Sequence, residues 1–182
     1  MKTSLLYLLA VCIFFHDEFR HFSNASLEFT NVQCKPVDKS YVNVEYCFIK
    51  SVNRTYKYLS VRVRILSKVP ITNTTVNFAL LKKANGYKPF LYNITFDACK
   101  YLRSRKNKLL NYFHGFFEVY SNLNHTCPFG KDDFVIEKLP ISHVQHYVSD
   151  ILPMPHGKYL LHTTWSSFGV KRFEASFYWD SI

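Results

Sequence analysis

The side chains able to do chemistry are scattered along this 182-residue chain at spacings poorly suited to catalysis. His143 and His146 are three apart. In a loop or strand that spacing does not bring two imidazoles to one metal, so no metal site is expected. Asn124, His125 and Cys127 carry the letters of a cysteine-protease triad, but such groups must converge from a fold rather than from neighbouring positions. Asp132 and Asp133 are adjacent, so on a strand they point to opposite faces and suit a turn better than an acid–base pair. The patterns G-x-S-x-G, H-E-x-x-H, G-x-G-x-x-G and the P-loop are missing. No catalytic residue, metal ligand or cofactor is assigned, and the expectation is a non-enzymatic protein.

The remaining cysteine chemistry depends on compartment. Met1-Lys2-Thr3 gives a short positive start, and Ser4 to Phe15 is an apolar core too short to span a membrane. Ser23-Asn24-Ala25 places small residues where a signal peptidase needs them, so residues 1–25 read as a secretory leader and 26–182 as one domain. No apolar run reaches the roughly 18 residues of a membrane span. Cys12 leaves with the leader; Cys34, Cys47, Cys99 and Cys127 remain. An even number in a secreted chain reads as two disulfides. Of the three connectivities, the sequential one is favoured: Cys34 with Cys47 and Cys99 with Cys127. Sequons at Asn53, Asn73, Asn93 and Asn124, with a fifth at Asn24 inside the leader, point to a glycoprotein. The net charge is +10, before and after loss of Lys2, Arg20, Asp17 and Glu18. Outside a cell that charge does not suggest nucleic acid; it suits anionic surfaces such as headgroups, sulfated glycans or an acidic partner.

The elements that would position these groups have a period of two. In Leu59-Ser60-Val61-Arg62-Val63-Arg64-Ile65 every odd position is apolar and every even one polar, as in a half-buried antiparallel strand. Val76, Phe78 and Leu80 alternate likewise, as do Phe90, Tyr92, Ile94 and Phe96, and Phe173, Ala175, Phe177 and Trp179. Shorter strands are expected at 27–32, 42–49, 134–137 and 159–165. Asn85-Gly86 marks a hairpin. A three-residue loop would pair Leu80 with Phe90, Phe78 with Tyr92 and Val76 with Ile94, burying one face and leaving Asn73 and Asn93 on the other. One stretch departs from this period: Leu110, Phe113, Phe117 and Tyr120 form a helical stripe, predicting one helix around 106–120. An all-β chain with one helix reads as a two-sheet antiparallel β-sandwich.

Aromatic residues make up 18% of the chain, more than strand propensity requires. A core packed with aromatics is one explanation; a cavity between sheets holding an apolar ligand is the other. The wall of such a cavity would be Val61, Val63, Ile65, Phe78, Phe90, Tyr92, Ile94, Phe96, Trp165, Phe173 and Phe177, with Phe113 and Phe117 from the helix. Arg62, Arg64, Lys82, Lys83 and Lys88 would be basic rim residues or, more simply, a solvated face.

Several strings together carry a resemblance. They are Phe29-Thr30-Asn31-Val32-Gln33-Cys34, Tyr46-Cys47 with Ile49-Lys50-Ser51-Val52-Asn53, Asn85-Gly86-Tyr87-Lys88-Pro89-Phe90, Asp97-Ala98-Cys99, and Asn124-His125-Thr126-Cys127-Pro128. The chain resembles an insect family of secreted proteins that carries a domain of unknown function and includes chemosensory proteins of the CheB type. The resemblance implies a β-sandwich akin to the ML lipid-recognition fold, whose members bind lipids between two sheets and are not enzymes. It implies a lipid or other apolar small molecule as ligand. The alternative is a packed module acting through its surface on a membrane receptor or channel. No cysteine follows Cys127, so the bridge some ML proteins make to a C-terminal strand cannot form here.

Overall fold

A computed structural model describes residues 27–130, 134–151 and 154–182. The leader expected at 1–25 and the Asp132-Asp133 pair lie outside the described residues. The fold is mainly β, with two antiparallel sheets. In chain order the strands are β1 (Leu27–Pro36), β2 (Val42–Ser51), β3 (Lys57–Ile65), β4 (Thr74–Ala84) and β5 (Gly86–Asp97). Then follow β6 (Val135–Pro140), β7 (Gly157–Ser167) and β8 (Val170–Ser181). Three helices interrupt them: α1 (Ala98–Ser104), α2 (Lys108–Gly115) and α3 (Ile141–Ile151). One sheet runs β1-β8-β7-β4-β5 and the other β2-β3-β6.

The period-two pattern of β3 holds at its apolar positions, but Ser60, polar and expected outward, is buried and its hydroxyl accepts from the Lys138 amide at 3.0 Å. Leu59, Val61 and Val63 of β3 are buried, while Arg62 and Arg64 face outward. They meet Leu80, Tyr159, Phe173, Ala175 and Trp179 of the larger sheet in the inter-sheet core. Cys34 of β1 is bonded to Cys47 of β2, tying one sheet to the other, and Cys99 of α1 is bonded to Cys127. The sequential pairing is therefore the observed one.

The β4–β5 hairpin follows the expected register only near its turn. Gly86, at φ +86°, closes the loop, and Lys83 faces Tyr87 and Leu81 faces Pro89. Beyond that a bulge at Leu91, with φ +60°, inserts two residues. Phe78 consequently faces Ile94 rather than Tyr92, and Val76 faces Phe96 rather than Ile94. A shift of two keeps every side chain on its own face, so the burial pattern alone could not reveal it. The outer face does register it: the Asn77 amide donates to Asn93 Oδ1 at 2.9 Å and to Thr95 Oγ1 at 2.8 Å.

The single helix expected at 106–120 is shorter and has company. α2 stops at Gly115, and Glu118–Tyr120 forms a separate 3-10 turn. α1 and α3 were not anticipated. α1 spans only seven residues, too few to display a period. α3 does carry a helical stripe, Ile141, Val144 and Val148, directly after Pro140. His143 and His146 thus lie on a helix, not on a strand or loop.

Candidate functional site

Five strands face three, so the β4–β5 side of the larger sheet needs other cover. α1 and α2 provide it. Asp97 caps α1 by accepting from the Lys100 amide at 2.9 Å. Asn107 caps α2 by accepting from the Leu109 and Leu110 amides at 3.0 and 3.1 Å. These caps aim Tyr101 edge-on at Phe96, with centroids 5.7 Å apart, and seat Phe113 over Phe78 at 4.5 Å and Tyr92 at 5.7 Å. α3 lies against β1, β3 and β6 and meets the end of α2. There the Tyr112 hydroxyl donates to the Tyr147 carbonyl at 2.8 Å. A Cβ on Gly115 would sit 3.2 Å from the Tyr147 ring, a tight contact that a small shift of the ring relieves.

Beneath this cover the sheets do not close on each other. A cavity of about 190 Å³ remains, lined from β4 by Val76, Phe78 and Leu80, from β8 by Ala175, Phe177 and Trp179, and from α3 by Val144 and Val148. Its volume is an order of magnitude above the roughly 10–15 Å³ a single water occupies on this measure, so it is not a packing defect. The wall is almost wholly apolar, and its few polar atoms are mostly engaged. Trp165 Nε1 donates to Thr163 Oγ1 at 3.1 Å, which donates to the Ala175 carbonyl at 3.3 Å. Trp179 Nε1 has no partner among the described residues.

His114 is the wall's titratable imidazole and is buried. Nε2 donates to the Leu123 carbonyl at 2.9 Å, so Nδ1 is the acceptor, and Arg105 Nη1 donates to it at 2.8 Å. Burial pushes the pKa of His114 below the ordinary histidine value; the Leu123 hydrogen bond opposes that shift, the Arg105 charge adds to it and Glu118 opposes it. Both ring nitrogens are thus hydrogen-bonded within the protein, and burial favours the neutral ring. Tyr112, half-buried, has its phenol pushed up to about 12 by desolvation.

Of the side chains expected on the wall, Phe78, Phe96, Phe113, Phe117, Trp165 and Phe177 line this cavity. Val61 is packed solid in the inter-sheet core. Val63, Ile65 and Phe173 border a second, smaller cavity of about 50 Å³, which also shares Trp165. Phe90 packs on Tyr159, and Ile94 and Tyr92 pack behind Phe78 and Phe113. Arg62 and Arg64 sit on the outer face of the smaller sheet beside Glu45, and Lys82 lies over the Phe90 and Tyr159 rings, so these three are not rim groups. Sequence reasoning missed Val144 and Val148, which the 141/144/148 spacing could have supplied, and Leu110, Tyr101 and Leu102, which only α1 and α2 bring inward. Asn53, Asn73, Asn93 and Asn124 are all exposed. Asn53 and Asn93 use Oδ1 as a local acceptor, Asn53 from the Thr55 and Tyr56 amides and Asn93 from the Asn77 side chain.

Fold and site together define a two-sheet β-sandwich with an apolar interior under a helical cover. Residues 76–161, from β4 into β7, match a family described as a protein of unknown function, DUF1091. That stretch contains α1, α2 and α3, the whole helical side of the cavity. No curated protein matches the chain. Among the described residues no helix is long and apolar enough to cross a membrane.

Proposed function

We propose that this is a secreted, glycosylated, non-enzymatic binding protein that holds an apolar small molecule or lipid between its sheets. The observation that carries the reading is the apolar cavity of about 190 Å³ beneath α2 and α3. Each methylene moved from water into such a wall contributes about 0.8 kcal/mol, so a modest hydrocarbon chain outweighs the ordering costs of binding. The leader pattern, the two disulfides and four outward sequon asparagines support an extracellular setting. The likeness to CheB-type and ML-type proteins supports a role in chemosensory or extracellular lipid signalling. Native mass spectrometry of protein secreted from insect cells, before and after mild organic extraction, tests the reading. It expects a co-purifying mass that extraction removes, and uptake of the neutral probe N-phenyl-1-naphthylamine afterwards. A bare glycoprotein that takes up no probe would overturn it.

One surface observation favours a second reading, an interaction module acting on a receptor or channel. Tyr46, Phe48, Tyr58 and Tyr56 form a ladder of rings 5.9 to 6.3 Å apart on the outer face of β2 and β3. Arg62 lies over Tyr46. Aromatic and arginine side chains of this kind are enriched at protein interfaces. Loss of partner binding on Phe48→Ala with unchanged probe uptake would assign that surface a role of its own.

A further inference from the structure

The small cavity of about 50 Å³ differs from the large one in chemistry. Both are bordered by Leu123, Phe129, Phe134 and Trp165, so the two spaces abut. The small one is also walled by Tyr41, Thr74 and Arg172. Three buried polar atoms on those residues have no partner among the described residues: Tyr41 OH, Thr74 Oγ1 and Arg172 Nε. Thr74 is 4% exposed, so solvent does not satisfy it. Arg172 is already held in place, with Nη1 on Asp38 and the guanidinium 4.0 Å over the Tyr41 ring, while its buried Nε has no partner among the described residues. A buried polar group without a partner is destabilising, and three around one small space call for a common acceptor.

We propose that this cavity receives the carboxylate of a single-chain fatty acid whose hydrocarbon tail occupies the large cavity. The inference rests on the ligand-binding reading above and names its ligand class. Nε–H can only donate, and the tyrosine and threonine hydroxyls can both donate. A carboxylate is acceptor-only with two oxygens and satisfies all three donors together. An alcohol must also donate its own proton, and a methyl ester offers a weaker, uncharged acceptor. The space holds roughly four water-sized volumes, enough for a carboxylate and too small for a sugar or choline headgroup. The Arg172 side chain is 18% exposed, so the polar end lies near the surface; Phe134 and Trp165, in edge-to-face contact with centroids 4.7 Å apart, stand between the two spaces and part for the tail to run inward.

The test uses the full secreted glycoprotein, extracted and loaded with N-phenyl-1-naphthylamine. Hexadecanoate, 1-hexadecanol, methyl hexadecanoate and hexadecane then compete for the probe. The expected result is displacement by hexadecanoate at roughly tenfold lower concentration than by the ester or alcohol. The double variant Tyr41→Phe, Thr74→Val removes two donors at nearly constant shape. It is expected to keep its probe affinity, to be at least as thermally stable because two unpartnered buried hydroxyls are gone, and to lose most of the preference for the acid. Wild-type protein that binds probe but treats acid and ester alike would overturn this inference while leaving the ligand-binding reading intact. Failure to bind the probe at all would overturn both. A double variant that is less stable yet keeps the acid preference would assign the hydroxyls to ordered water and also overturn the inference.

Discussion

Replacing Ala175 by isoleucine adds three carbons to the wall of the large cavity. Ala175 is buried in β8, faces Thr163 across the strand pair and borders the cavity together with Phe177 and Trp179. If the space is open, those carbons leave water for an apolar void without displacing a neighbour. At about 0.8 kcal/mol per methylene the gain is about 2 kcal/mol. For a domain of this size that raises Tm by roughly 4–8 °C. If the sheets instead packed tightly, the same carbons would overfill the core at a cost of typically 1–3 kcal/mol, and Tm would fall. The sign of the shift thus separates an open cavity from a filled one. Differential scanning calorimetry of extracted wild-type and Ala175→Ile protein reads it, and N-phenyl-1-naphthylamine titration reads the volume lost to ligand. A lowered Tm together with undiminished probe uptake would refute the reasoning, because it would mean that the space at Ala175 is neither empty nor used.

Four further outcomes are expected. Replacing Cys34 and Cys47 together by alanine removes the bond between the sheets and lowers stability by about 3 kcal/mol, measured by urea denaturation; an unchanged midpoint would mean that the packed core alone holds the sheets. His114 has a folded pKa below its unfolded value, so its neutral form stabilises the fold fully above pH 6.5 and that contribution fades as pH falls through the lower folded value. Melting curves from pH 7.5 to 5 should therefore slope downward in wild type and less so in His114→Gln, and equal slopes would contradict the buried neutral imidazole. Gly115→Val forces α2 away from Tyr147; it should lower Tm and weaken probe binding together, whereas Gly115→Ala trades a close contact against better helix propensity and should do little. Asn93→Gln and Asn53→Gln should each remove one glycan-sized mass from the secreted protein without unfolding it, and a mass unchanged by both would show those sequons to be unused.

Much of the architecture is legible in stretches of adjacent residues, because inside-versus-outside along a strand is a local property. The alternation of Leu59, Val61 and Val63 with Arg62 and Arg64 needs no partner strand to be read. The helical stripe through Leu110 and Phe113 is local too, although Gly115 and the caps at Asn107 and Phe116 set its length. The bulge at Leu91 was invisible because a two-residue slip leaves the pattern of faces untouched. The stripe of α3 at Ile141, Val144 and Val148 is equally local.

By itself the sequence determined the sequon positions, the strand faces and the β class, since each rests on residues close together in the chain. Only the tertiary structure decided that β1 lies beside β8 and β7 beside β4, and that the sheets stay apart under α2 and α3. Phe78 and Phe90 sit at equivalent positions in the alternation, yet one borders the large cavity and the other packs on Tyr159. Whether an inward side chain meets another or meets space depends on what the facing layer supplies, and that layer comes from distant parts of the chain. Tyr41, Thr74 and Arg172 come from separate parts of the chain, and no spacing could have joined them; their unsatisfied polar atoms became a candidate subsite only when folding brought them to one small cavity.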